Sequence, residues 1–215
     1  MSSASGSTGR SHPRMHLVQA AAPTEPSDAE LVLAVRQRAS LAAGRMWDRY
    51  SALVRRILRR MLGPSVDVED ALQDVFLRLF RDIESLRDPS ALRSFLIGIT
   101  LHVAHSELRR RRARRWLMLS DDGVVPDRVP DQVETNNLQE REALRRLYRV
   151  LDRVGTRTRT VFVLRYVEGL ELAQLSAVLG CSLATTKRRV ADAAQRVSRL
   201  AVHDEMLAPY LGEKT

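Results

Sequence analysis

The sequence predicts an all-α protein of two small helical domains joined by a flexible acidic linker, the second domain carrying a helix-turn-helix. Three observations lead there. Apolar residues recur at helical spacing over most of the chain, charge is distributed in blocks, and the stretch from Gly169 to Val190 reads as helix, tight turn and basic helix. In that stretch Leu172, Leu175, Val178 and Leu179 fall on one helical face. Gly180 supplies the backbone freedom a tight turn needs, and Ser182 can cap the helix that follows. That helix is expected to bury Val190, Ala194 and Val197 and to turn Thr185, Lys187, Arg188, Gln195 and Arg196 outward or onto its flanks. A basic helix so presented fits the major groove of DNA.

The charge blocks define the domains. Residues 28–119 carry 18 Arg against 11 acids, residues 120–142 two Arg against seven acids, and residues 143–201 12 basic residues against four acids, within a net charge of +9. Two basic modules around an acidic connector imply a polyanionic partner met at two places. The expected boundaries are a disordered N-terminal tail (1–27), a first helical domain (28–119), the acidic linker (120–139), a second domain (140–201) and a C-terminal tail (202–215). Met15 offers an alternative start within the Ser-, Gly-, Pro- and Ala-rich tail.

The elements follow in order. Asp28 is the expected cap of a helix reaching about Leu41, and a second runs from about Ala42 to Met61 with Met46, Tyr50, Leu53, Val54, Ile57 and Leu58 on one side, stopped by Gly63-Pro64. Val68 to Leu86 is the clearest amphipathic helix, with Ala71, Leu72, Val75, Phe76, Leu79, Phe80 and Ile83 inward and Asp67, Glu69, Asp70 and Asp74 near its N-terminus. After Arg87-Asp88-Pro89-Ser90, a helix from Ala91 to about Leu119 places Leu92, Phe95, Leu96, Ile99 and Val103 inside. It ends in six arginines between Arg109 and Arg115 that wrap around its axis, a pattern suited to phosphates. Helix resumes over about Leu138–Val154 and Thr158–Val167 before the helix-turn-helix.

Several function classes drop out. The single cysteine, Cys181, excludes an internal disulfide framework and reads as a small buried thiol. The apolar runs are too short for a membrane span and the N-terminus lacks a signal-peptide centre, so a cytoplasmic protein without membrane insertion is expected. No Gly-rich phosphate loop, Cys-x-x-Cys or nucleophile–base set is present. His102 and His105, at i and i+3, have no further ligand pair, and the Asp67–Asp74 carboxylates lack a partner base. No metal, cofactor or catalytic residue is expected, and no enzyme.

The run Asp70-Ala71-Leu72-Gln73-Asp74-Val75-Phe76, then Phe95-Leu96, an arginine cluster, an acidic linker and Arg165-Tyr166-Val167-Glu168-Gly169-Leu170 entering a helix-turn-helix resembles a bacterial RNA polymerase sigma factor of the extracytoplasmic-function group. The likeness spans about 28–119, as sigma region 2, and 140–201, as sigma region 4. It implies a promoter-directing subunit of core RNA polymerase, with promoter DNA and an anti-sigma factor as further partners and a monomer when free. Asp70, Gln73 and Asp74 match the residues that dock on the polymerase coiled coil. Phe95, His102, Arg109, Arg110 and Arg112 match the segment that opens the duplex and reads the minus-ten element, and Thr185, Lys187, Arg188 and Arg189 the part that reads the minus-thirty-five element. The linker would lie in the channel later taken by nascent RNA.

The chain departs from the family pattern at several places. Phe95 replaces a Trp, His102 and Ser106 replace an Asn and an Asp, Ala184 and Thr186 stand where Gly and Val are typical, and Asp192 stands where a basic contact is common. Asp192 is expected to repel phosphate. Two other readings share these residues: a protein that occupies polymerase without reading promoters, and a conventional helix-turn-helix regulator that binds an operator as a dimer.

Overall fold

Every regular element is helical among the residues described by the structure, a computed structural model covering 25–63, 66–118 and 138–207. The expectations for the linker and for most of both tails lie outside these residues.

The first helix, α1 (Asp28–Arg36), starts one residue earlier than the sequence suggested. The Ser27 hydroxyl accepts from the Glu30 amide at 3.3 Å while the Glu30 carboxylate accepts from the Ser27 amide at 2.7 Å, a reciprocal cap that displaces Asp28 from that role. Asp28 instead accepts from the Tyr50 hydroxyl at 2.6 Å and the Arg49 guanidinium at 3.1 Å. Burial, then the Asp28 carboxylate, push the Tyr50 hydroxyl far above the ordinary phenol range, so it remains the donor. The helix ends at Arg36, short of Leu41, because Arg38 and Leu41 both take left-handed backbone (φ 54° and 66°) to turn the corner into α2 (Ala42–Leu62).

α2 buries Met46, Tyr50, Val54, Ile57, Leu58, Met61 and Leu62. α3 (Glu69–Asp82) adds Leu72, Val75, Phe76 and Leu79 and tightens into a 3-10 turn over Ile83–Ser85. The Trp47 and Phe76 rings meet between these two helices, tilted by 46° with their centroids 4.5 Å apart. Asp88 caps a 3-10 turn over Pro89–Ala91 by accepting from the Ser90 amide, and α4 (Leu92–Met118) follows. Leu92, Leu96, Ile97, Leu101, Val103, Ala104 and Leu108 of α4 complete the core.

The second domain begins with α5 (Leu138–Arg153) and α6 (Thr156–Phe162), which widens into a π-helical turn over Val163–Val167. α7 (Leu172–Leu179) and α8 (Leu183–Ala201) form the helix-turn-helix, with Gly180 left-handed at the turn (φ 59°) and the Ser182 hydroxyl accepting from the Thr185 amide at 3.2 Å. The buried seam of α8 is Thr186, Ala193, Val197 and Ala201; of the expected set only Val197 is fully inside, with Val190 and Ala194 at its edge. Thr186 can sit there because its hydroxyl donates to the Ser182 carbonyl at 3.0 Å and leaves no unmet donor.

The two domains touch. The Glu168 side chain, 1% exposed, accepts from Arg60 at 2.6 Å and Arg56 at 3.0 Å, both on α2, and Arg60 also donates to the Val167 carbonyl at 2.6 Å. The Tyr148 ring of α5 lies over Gly63 at the end of α2, where an added Cβ would stand 3.6 Å from it. α7 packs beside α4.

Removing one partner of a buried ion pair costs about 3–5 kcal/mol, and less where the other partner reaches water, as Arg56 and Arg60 do. Glu168→Gln should therefore cost roughly 1–3 kcal/mol in urea unfolding and enlarge the radius of gyration in solution scattering. Unchanged values of both would show that this clamp does not hold the domains together.

Candidate nucleic-acid interface

The exposed side of α4 is a stripe that broadens beyond Leu108. Phe95, His102 and Arg109 stand seven residues apart, so each lies two turns beyond the last on one face, and Trp116 continues the series. His102, Arg109 and Arg112 are exposed, while Phe95 is half-buried against the core. Arg110 is exposed on another side, 3.9 Å from Glu107, which also accepts from Arg111 at 3.1 Å. Four of the five residues assigned to strand opening thus share a face or its edge, and Arg110 does not.

The second domain meets that stripe in its middle. His105 Nε2 is 2.8 Å from the Thr160 hydroxyl, and Arg112 donates to the Thr156 hydroxyl at 3.2 Å. Thr160 spends its only proton on the Thr156 carbonyl at 2.8 Å, so its oxygen accepts and His105 Nε2 carries the hydrogen. Burial, then the positive charges of Arg109 and His102, hold the His105 imidazole below its ordinary 6.5. His105 is thus an interdomain contact, whereas His102 on the same helix is exposed.

On α8, Lys187, Arg188 and Arg189 are exposed in the first turns, and Thr185 is half-buried beside the Ser182 cap, its hydroxyl 3.0 Å from that of Ser182. Arg189 also reaches the Cys181 sulfur at 3.4 Å. Cys181 is only half-buried, against the expectation of a buried thiol. Asp192 pairs with Arg196 at 2.9 Å, which offsets its charge. Arg189, Asp192 and Arg196 line a cleft of about 770 Å3 with His105 and the start of α6, so residues of both domains border one space.

Asp70 and Gln73 are exposed on α3, and Asp74 is half-buried in an ion pair with Arg78 at 2.9 Å. Leu77 joins them at the i+7 position and is 70% exposed. The sequence reading omitted it, although a leucine left off the apolar face of so regular a helix was the available signal. Arg159 was also missed: it is 1% exposed, donates to Asp152 at 2.6 Å, and lies 5.5 Å over the Tyr148 ring. Desolvation lowers its pKa against the raising effect of Asp152, and pushes the Tyr148 hydroxyl up to about 12. Among the described residues no group of three or more His, Cys, Asp or Glu comes together to hold a metal ion, and no helix is long and apolar enough to cross a membrane.

Comparison with known proteins adds to this geometry. Residues 46–114 match the family model Sigma-70 region 2, and residues 144–197 match Sigma-70, region 4. The chain is 32% identical to the ECF RNA polymerase sigma factor SigM of Mycobacterium tuberculosis over 82% of this chain and 85% of SigM. It is 29% identical to the ferric citrate uptake sigma factor FecI of Escherichia coli over 73% and 89% of the two chains. Among solved structures, CnrH in complex with the cytosolic domain of CnrY has the same fold, with a TM-score of 0.60 and 24% identity over 84% of this chain and all of that one.

The His105 contact has a pH consequence. Because the folded protein holds this ring below 6.5, the unfolded chain takes up the proton first as pH falls. The contribution is whole above about 6.5 and is lost as pH falls below it. His105→Gln, which keeps a donor toward Thr160, should flatten the decline in thermal midpoint between about pH 7.5 and 5.5. An equal decline in both proteins would assign it to other groups.

Proposed function

The chain belongs to the extracytoplasmic-function RNA polymerase sigma factors, and from that premise we propose how its parts serve promoter-directed initiation. Residues 28–119 act as region 2 and residues 140–201 as region 4. The protein works in the cytoplasm by binding rather than catalysis. The α3 face of Asp70, Gln73 and Asp74 docks on core polymerase, its net negative charge meeting a basic partner. Phe95, His102, Arg109 and Arg112 hold the opened minus-ten element, and Arg110, on another side of α4, takes a backbone phosphate. Thr185, Lys187, Arg188 and Arg189 read the minus-thirty-five element from the major groove.

The observation that supports this reading best is the pairing of exposed cations with locked helices. α4 and α8 each seal one face in a core and present arginine on another, which holds charged side chains at fixed positions on an element rigid enough to read DNA. CnrH in its solved structure is held by a second protein, and by that likeness an anti-sigma partner is proposed here also.

Arginine suits bidentate contact with a guanine edge, whereas a lysine acts as a point charge on phosphate. In holoenzyme, Arg188→Ala should lose discrimination between the upstream element and its point variants by about 1–3 kcal/mol. Lys187→Ala should weaken occupancy evenly across promoters and reduce the salt slope by about one. Wild-type selectivity of both across a promoter library would favour a polymerase-bound protein that does not read this element.

Replacing Asp70, Gln73 and Asp74 together by Ala should weaken core association while leaving helical content unchanged, since none of the three is in the core. Native-like retention on immobilised core polymerase would move the docking surface elsewhere.

A further inference from the structure

The cleft of about 770 Å3 beside α6 and α8 collects hydrogen-bond donors with no carboxylate left to receive them. Three arginines line it, Arg157 from the first turn of α6 and Arg189 and Arg196 from α8, against one acid, Asp192, which Arg196 already engages at 2.9 Å. Among the described residues, Arg157 is exposed without an acidic partner and Arg189 reaches only the Cys181 sulfur. Thr156 and Thr158 stand on either side of Arg157 in the same wall. The Thr156 oxygen accepts from Arg112 of α4, so its own hydrogen remains to be donated, and the Thr158 hydroxyl has no partner among the described residues. Uncommitted hydrogens from two helices thus border one space, with the Arg112 guanidinium at its edge.

We propose that this cleft binds a small oligophosphate, free or carried by a nucleoside. Phosphate oxygens accept hydrogen bonds from all sides, which is the complement of a wall of guanidinium and hydroxyl donors, and the planar guanidinium matches phosphate geometry. The volume lies within the range of pockets that enclose small ligands, about 300–1,000 Å3. A single carboxylate would satisfy one arginine. Two arginines without acids, on separate helices, call for an anion with more than one charged group. The space is bounded on another side by His105 of α4, held to Thr160 at 2.8 Å, so a duplex can lie across its mouth but cannot fill it. This ligand is additional to core polymerase and promoter DNA, yet it shares Arg189 with the second. On the proposed reading of α8, a bound oligophosphate therefore competes with the minus-thirty-five duplex, and the duplex with it.

The test uses the full chain at constant ionic strength. Calorimetric titration with tripolyphosphate should show one saturable site, with orthophosphate binding far more weakly. Arg157→Ala should weaken tripolyphosphate about 10-fold, the lower end of what a charge-assisted hydrogen bond supplies, because the site opens to water. Arg45→Ala removes the same charge from an exposed position of α2 and should leave the affinity unchanged. An unaltered thermal midpoint without ligand checks that each variant folds. ATP titrated beside tripolyphosphate separates the two sources: equal affinity assigns recognition to the phosphate chain, tighter ATP adds the nucleoside, and either upholds the site. The proposal is overturned if neither compound binds saturably, if Arg45→Ala and Arg157→Ala weaken binding equally, or if Arg157→Ala weakens only an upstream-element duplex, which would make this wall a contact for DNA backbone. Competition is read separately. Saturating tripolyphosphate should lower the affinity of the native chain for that duplex, and the same concentration should lower that of Arg157→Ala much less. An Arg157-dependent tripolyphosphate site with undiminished duplex affinity keeps the oligophosphate site and sinks the assignment of Arg189 to the upstream element.

Discussion

One helix carries the main constraint on this molecule. α4 is 27 residues long, about 40 Å, and closes the first core, carries the stripe proposed to meet nucleic acid and contacts the second domain, all around one axis. Its first four turns bury Leu92, Leu96, Ile97, Leu101, Val103 and Ala104, which fixes the rotation of the helix. Once that rotation is set, the positions of His102, Arg109, Arg112 and Trp116 are no longer adjustable, because each lies a fixed angle from the sealed face. A substitution that rotated α4 in its groove would displace the whole stripe at once.

The second domain solves a related problem with different means. A recognition helix must be rigid at its first turns, where its reading side chains stand, yet helix ends fray. Here the first turn of α8 is tied by the Ser182 cap and by Thr186, a buried residue whose hydroxyl bonds back to the Ser182 carbonyl. Further along, Asp192 neutralises Arg196 and not the leading cations, so the positive charge of α8 is concentrated toward its N-terminal half. That arrangement keeps phosphate attraction close to the residues proposed to read bases.

The sequence disclosed the helices and most of the buried faces because amphipathic spacing is a local signal, clear in α2 and α3. Locally coded caps were partly legible. Ser182 was recognised, whereas Ser27 was overlooked because Asp28 is also a good cap and only the Glu30 side chain decides between them. The corner at Arg38 and Leu41 was illegible, since neither residue type advertises left-handed backbone. Of the site, the clusters on α3, α4 and α8 could be listed from the family pattern. What could not be read was long-range: that Glu168 would sit between Arg56 and Arg60, that His105 would face Thr160, and that Asp192 would find Arg196. Glu168 and its partners lie more than 100 residues apart, where no periodicity connects them.

Those long-range contacts bear on how the proposed interfaces would be used. Arg112 directs a guanidinium hydrogen at Thr156, and His105 directs its Nε2 hydrogen at Thr160, so the middle of the α4 stripe is occupied by α6. Arg189 and the Arg196–Asp192 ion pair line the cleft beside His105. Glu168 and the Tyr148 ring draw the domains together at the end of α2. A nucleic-acid strand laid along α4 would take Arg112 from Thr156 and so loosen the contact between the domains on that side. By linkage, whatever free energy the closed contact holds is subtracted from binding that needs the stripe bare, and Glu168 sets much of that quantity from a position that touches neither DNA surface.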